Sequence, residues 1–424
     1  MTEFPEFIRV RQTFERPRVE DIEPEVAAQL ARLNLASHIK PGESVAITAG
    51  SRGIANIARI LRAAVGHLQS LGAEPFLVPA MGSHGGGTTA GQVDVLRHYG
   101  ITEEFCGCPL RASMDTVVVC DAAQGFPIHF DRHAFAADHV LVCGRVKPHT
   151  RFVGQIESGL MKMMLIGLGK HEGAKIYHRA IHDYSFDEIV RDVAAKVMAK
   201  CKIVAGLAIV ENAYDETARL EAVAPADFVP REIELLKLAK QWLPRLPFDA
   251  IDALLIDEMG KNISGCGIDT NVVGRKHNDN EAVAGELPRV RRIMARSLTP
   301  ESKGNAIGIG IADLCTQRLV DTVDWAATAI NGETSGHFGG VKRPLVYPND
   351  RDMLRAGLAT IGLTEPIDAR AVWIRNTLDV ADIECAASLL PEIESQSHLE
   401  VLTRARPLPF DAQGNLPKSL REMP

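Results

Sequence analysis

The run SVAITAGSRGIANIARILRAAVGHLQSLGAEPFLVPAMG, residues 44–82, decides the fold. Its first part, SVAITAG (44–50), is short, apolar and closed by glycine, which predicts a buried strand. IANIARILRAAVGHLQSLG (54–72) then repeats apolar residues at helical spacing and stops at Gly72, which predicts a helix. EPFLVPAMG (74–82) supplies a second strand and TAGQVDVLRHYG (89–100) a second helix. Alternation of this kind belongs to α/β architecture with a largely parallel sheet.

Further strands are predicted outward from there at TVVVCDA (116–122), HVLVCG (139–144) and KIVAGLAIVE (202–211), with a helix over SFDEIVRDVAAKVMAKC (185–201). At 424 residues the chain is too long for one ordinary core. A boundary falls near residue 250, where the helix of PREIELLKLAKQWLPRLPFDA (230–250) ends in a proline-marked turn and IDALLIDEMG opens another buried strand. The expectation is α/β with two domains, 1–250 and 251–400, each a largely parallel sheet flanked by helices, with the active site in the crevice between them. The tail, 400–424, is expected to return to the first domain. Within the second, AIGIGIADL (306–314) reads as a strand, VDTVDWAATAI (320–330) as a helix, and AVWIRNTLDVADIECAASLLPEIES (371–395) as a strand and helix.

Composition narrows the function. Hydrophobic residues make up 46%, charged residues 24% and the net charge is -7, as in a soluble globular protein. Lysine and arginine form no basic stripe and aromatics are only 5%, so nucleic acid is not an expected partner. No signal peptide and no apolar run of about 18 residues is present, which argues against a membrane. The eight cysteines include no CxxC pair, which suits a reducing cytoplasm, and Cys106 with Cys108 is too small a set for a zinc site. Homo-oligomerisation is left open by the sequence.

Reactive residues gather in three loops that follow presumed strands. In TAGSRGIAN, Ser51 and Arg52 stand between strand and helix, where backbone N–H groups and a guanidinium favour an anion. In MGSHGGGTTAGQ (81–92), His84 is flanked by Gly85 and Gly86, small residues that open its imidazole to a ligand and leave room for a phosphate cradle. In KPHTRFVGQIESGLMKMMLIGLGKHEGAKIYH (147–178), His149 occupies a turn and Lys162 enters an apolar segment, where a lysine can become a nucleophile or a tether. Lys170 and Lys175 sit in more polar sequence and are expected to be solvated. His178 and His182 are four apart in a predicted helix, a spacing at which two imidazoles share a face and can share a metal. Walker, HExxH, GxSxG and GxGxxG motifs are all missing. Read this way, the residues describe an anion-binding crevice with two histidines, a lysine and a candidate metal ligand.

The ordered set Arg52, His84, His149, Lys162 and His178, carried by SRG, GSH, KPH and SGLMK with a histidine 16 residues beyond the lysine, resembles the nickel-dependent lactate racemase family and its wider group of 2-hydroxyacid racemases and epimerases. The resemblance spans nearly the whole chain. It implies a nickel-pincer nucleotide tethered through Lys162, contacted by Ser51, Gly85 and Gly86, and ligated at nickel by His178. His84 and His149 would be alternate bases, and Arg52, Arg275 and Lys276 would bind substrate. Separate biosynthetic proteins would have to supply the cofactor. Several positions depart from lactate racemase: Ala49 replaces an aspartate, the insertion before Lys162 is longer, and GIDTNVVGRKHNDN (267–280) keeps Asp269 and Asn271 but places Val273 and Gly274 at the aromatic and amide positions. A larger or more polar 2-hydroxy acid than lactate is therefore expected. Two other readings remain: a zinc or magnesium hydro-lyase using His178 and His182, and a non-catalytic nucleotide- or anion-binding protein of the same fold.

Overall fold

The computed structural model describes residues 3–423. Arg16–Leu243 forms one compact unit, and the segments on either side of it together form a second.

The inserted unit is built on a five-stranded sheet in the order Glu74–Pro79, Ser44–Ala49, His139–Arg145, Ile203–Glu211, Thr217–Val223. The first four are parallel and the last is an antiparallel edge. Both faces are covered, which is why these strands are apolar almost throughout. On one face Val45, Ile47, Leu77, Leu141 and Leu207 pack under helices Ile22–Ala31 and Ile57–Ser70. On the other, Ala46, Val78, Val140 and Val142 pack against Met161, Met164, Leu165, Val190, Val193 and Leu235. Helix Ile57–Ser70 buries Ile57, Ile60, Leu61, Ala64, Val65 and Leu68, the stripe its sequence spacing predicts. Helix Phe186–Lys200 begins at a reciprocal Ser185/Glu188 capping box. Because Ser44–Ala49 has its sequence successor on one side and the later His139–Arg145 on the other, the chain switches direction at the carboxyl end of that strand. Open α/β sheets bind ligands at such a point.

The flanking unit carries an eight-stranded sheet ordered Leu345–Tyr347, Leu314–Thr316, Arg289–Leu298, Ala250–Met259, Ala371–Ile374, Asp382–Ala386, Phe7–Gln12, Leu399–Val401. The first five are parallel and the remainder antiparallel.

Three expectations are corrected here. The tail returns to the flanking unit: Arg406 pairs with Phe7, Leu416 and Leu420 are buried, and their N–H groups donate to Asp350 and Asp257. Those apolar side chains find their pocket beside Met353, Leu354 and Trp373. The segment 306–314 is largely a loop with a 3-10 turn at Ile309–Ile311, because Gly308 has φ +90° and any side chain there would strike the Cys266 carbonyl. The stretch 371–395 holds two strands before the short helix Leu390–Glu394. Among the described residues no helix is long and apolar enough to cross a membrane.

Candidate active site

The loops that follow the parallel strands of the inserted unit all lie at one edge of its sheet. After Ala49 comes Ser51, whose Oγ is hydrogen-bonded to His84 Nδ1 from the loop after Pro79. Arg52 and His84 are exposed. The Arg52 loop is held from the neighbouring strand ends: Ala55 N–H donates to Glu211, 2.7 Å away, and Arg145 pairs with Glu211 while reaching the Gly53 carbonyl.

The His84 loop depends on its glycines for different reasons. Gly85 has φ +67°, and a side chain there would come within 2.5 Å of the Gly91 backbone. Gly86 has φ +68° with open space beside it. Buried Gln92 ties the loop down by donating to the Gly82 carbonyl at 2.9 Å.

His149 follows strand His139–Arg145 in a tight turn. Its Nδ1 accepts the N–H groups of Arg151 and Phe152, both at 3.0 Å, and its own N–H donates to buried Glu157. The imidazole stacks on Phe152 at 4.0 Å, Phe152 stacks on Phe186 at 4.1 Å, and the Lys162 ammonium lies 5.0 Å from the Phe152 ring centre. Lys162 and His149 thus share one aromatic support.

Lys162 lies near enough to His178 for its charge to act on the imidazole, and the segment between them is not one straight helix. A single straight helix would hold residues sixteen apart at about 24 Å. Here helix Gly159–Lys162 runs into a π-helical turn, Met163–Gly167, and then into helix Lys170–Ala180. The direction changes at Lys170, where φ is +55°. Contrary to the solvated position expected for it, Lys170 is wholly buried, paired with Asp131 at 2.9 Å and bonded to the Pro79 carbonyl. Burial pulls its ammonium below the usual lysine range, against the opposing pull of Asp131. Pro79 ends the strand before His84, so one buried side chain joins the two loops.

His178 is half-buried, and burial first, then the positive charge of Lys162 and the nearby His182, lower it from the ordinary histidine value. His182 lies just past the end of that helix and is exposed, so the shared helical face expected of the two histidines is not formed. Among the described residues no three His, Cys, Asp or Glu side chains are grouped to hold a metal ion.

Glu232 gave no signal in the sequence. On helix Phe228–Gln241, it is buried beneath the start of the Lys162 helix, accepts the Met161 N–H at 3.0 Å, and places its other oxygen where a Gly159 side chain would begin. Burial pushes its carboxyl up to about 8.

Arg275 is corrected outright. It lies in the flanking unit, fully buried, its guanidinium bound to Asp313 at 2.8 Å and to the Ile311 carbonyl at 2.7 Å. Those partners hold the loop together and occupy the fork a carboxylate would need. Lys276, its half-buried neighbour, donates its N–H to Glu286.

No protein-family model and no curated protein matches this sequence. Among solved structures, the lactate racemase apoprotein from Thermoanaerobacterium thermosaccharolyticum aligns with a TM-score of 0.51 at 14% identity, over 88% of this chain and 99% of that one. The chain has the lactate racemase fold. At that identity the likeness speaks for the architecture, and the chemistry has to be argued from the residues.

Proposed function

We propose that the protein is a racemase or epimerase of a 2-hydroxy acid that works with a nickel-pincer nucleotide. The observation that supports this best is that half-buried Lys162 acts electrostatically on half-buried His178 and lies over the same Phe152 ring on which His149 stacks. The donor set fits such a cofactor. A metal ligand must offer a lone pair, which the environment of His178 favours at neutral pH. One protein donor suffices only for a metal that brings its other ligands with it, and in this reading Lys162 would hold the carrier of those ligands. When bound, the cofactor supplies a two-electron acceptor and donor for the hydride at C2.

The chain's own residues do the rest. Arg52 offers a planar fork of N–H donors to the substrate carboxylate. His84 and His149 bracket the hydroxyl and manage its proton, and Ser51 orients the His84 ring through Nδ1. Phe152 and Phe186 back the His149 ring with apolar surface. Substrates larger or more polar than lactate are favoured by the sequence departures noted above. Activity would require cofactor made by separate proteins.

The test is internal hydride return. Protein loaded with cofactor and given 2-deuterated hydroxy acids should invert C2 with the deuterium retained. Washout into solvent at the rate of inversion would replace this reading with direct deprotonation at carbon.

A further inference from the structure

Helix Trp325–Ser335 of the flanking unit is turned inside out. A helix against a core ordinarily buries its apolar side chains and shows its polar ones. Here the buried residues are Thr328 and Gly332. The Thr328 hydroxyl donates to the Asp324 carbonyl at 2.7 Å and accepts the Ala306 N–H at 3.0 Å, and the bare Gly332 lets Val341 close against the helix. Trp325, Ala326, Ala329 and Ile330 are exposed, Ile330 at 63%, and their spacing puts all four on one side of the helix. Phe338, just past the last turn, is also 63% exposed and adds apolar surface at the carboxyl end.

This face reads alike from both ends: large Trp325, small Ala326, small Ala329, large Ile330. A two-fold contact between identical chains is built from pairs that occur twice, residue i on j and j on i. With the axis between positions 327 and 328, antiparallel helices set Ala326 of one copy against Ala329 of the other, and Trp325 against Ile330. The alanines permit close approach of the backbones, and the large side chains fill the space at either end. Charge agrees with this arrangement. Asp321 and Asp324 are exposed at the amino end, while Lys342 and Arg343, which follow Val341, stand with Glu333 at the carboxyl end. Antiparallel docking brings unlike ends together, so attractive contacts outnumber repulsive ones. An extended peptide is the poorer occupant. In the edge strand Leu345–Tyr347, Leu345 turns its N–H inward to the Asp313 carbonyl, so Val346 faces outward between Pro344 and Pro348, which have no N–H to offer.

We infer that this face is a two-fold contact between copies of the chain, with the two helices antiparallel. The helix has 11 residues and is about 16 Å long. Its contact lies at the small end of the roughly 1,200–2,000 Å² that stable complexes bury, so the dimer forms reversibly in the micromolar range.

Sedimentation equilibrium of the full chain over about 1–200 µM should show the mass rising from 46.1 kDa towards twice that value. Ala326→Lys and Ala329→Glu lie at exposed helical positions where either residue is a good helix former. Each should weaken self-association by about tenfold or more, because the close approach at the axis is lost. Mixed together, the two variants should associate more tightly than either does alone, since the new lysine of one chain meets the new glutamate of the other. Monomer at every concentration would overturn the contact. So would self-association that Ala329→Glu leaves unchanged, which would place it on another surface. A mixture no tighter than the separate variants would overturn the antiparallel register.

Discussion

Glu232 puts an acid where water does not reach, under the first turn of the helix that presents Lys162. Its ordinary value is 4.5 and burial moves it to about 8 in the folded chain. Between those values the folded protein keeps a proton that the unfolded chain has released, so this residue's contribution is fully present below the ordinary value and is lost as pH rises through about 8. Glu232→Gln keeps the shape and an acceptor for the Met161 N–H but cannot ionise. Thermal melts from about pH 5 to 9 should therefore show the parent losing Tm relative to Glu232→Gln as pH rises. Parallel curves would mean that water reaches the carboxyl. Nothing in the sequence marks this residue: EIELLKLAK reads as an ordinary amphipathic helix, and only the packing of helix Phe228–Gln241 shows that Glu232 faces inward. The positions of Arg52, His84 and His149 in loops after parallel strands were legible because the apolar strands before them mark where each loop begins. Lys170 and Arg275 were misread because their counter-charges, Asp131 and Asp313, are distant in sequence.

The segment from Gly159 to Ala180 is the element on which the candidate site turns. The break in it falls at Lys170, where φ is +55° and the side chain's pair with Asp131 has no water to fall back on. Removing one member of a buried pair strands the other, at a cost of about 3–5 kcal/mol. Lys170→Met should lower the urea midpoint accordingly, and the double variant Lys170→Met with Asp131→Asn should recover much of the loss, since no charge is left uncompensated and the asparagine oxygen can still cap His133 and Ala134. A double variant no better than the single would show that the pair is not the source of the stability. Strand legibility follows the same physical line. Parallel strands of the inserted unit appear as apolar runs, whereas Arg289–Leu298, RVRRIMARSL, is central to its sheet yet hidden by arginines. Arg296 is tolerated there because Asp257 and Asp350 enclose it.

At the scale of the whole molecule, that enclosed arginine ties down the end of the chain. Its guanidinium also binds the Leu416 and Pro417 carbonyls, Asp257 takes the Leu420 N–H and the Trp373 indole, and Asp350 takes the Leu416 N–H. Ending the chain after Phe410 removes the tail's contributions at once and leaves the charges half-satisfied. The flanking unit should then melt earlier and be cut by protease between residues 250 and 410, while Arg16–Leu243 stays resistant. Uniform loss of both units would indicate that they unfold as one.

The strand Phe7–Gln12 carries a consequence in time. It leaves the ribosome long before its neighbours in the sheet, Asp382–Ala386 and Leu399–Val401. At roughly 5–20 residues per second, translation keeps it waiting for tens of seconds, while Arg16–Leu243 has all its strands in hand and can fold. An edge-rich strand held open for that interval is exposed to pairing with other nascent chains. Arg9 and Arg11, which end as partners of Glu384 and Asp382, give it charge while it waits. The order of synthesis thus favours completion of the reactive-loop unit before the sheet that closes the chain on itself.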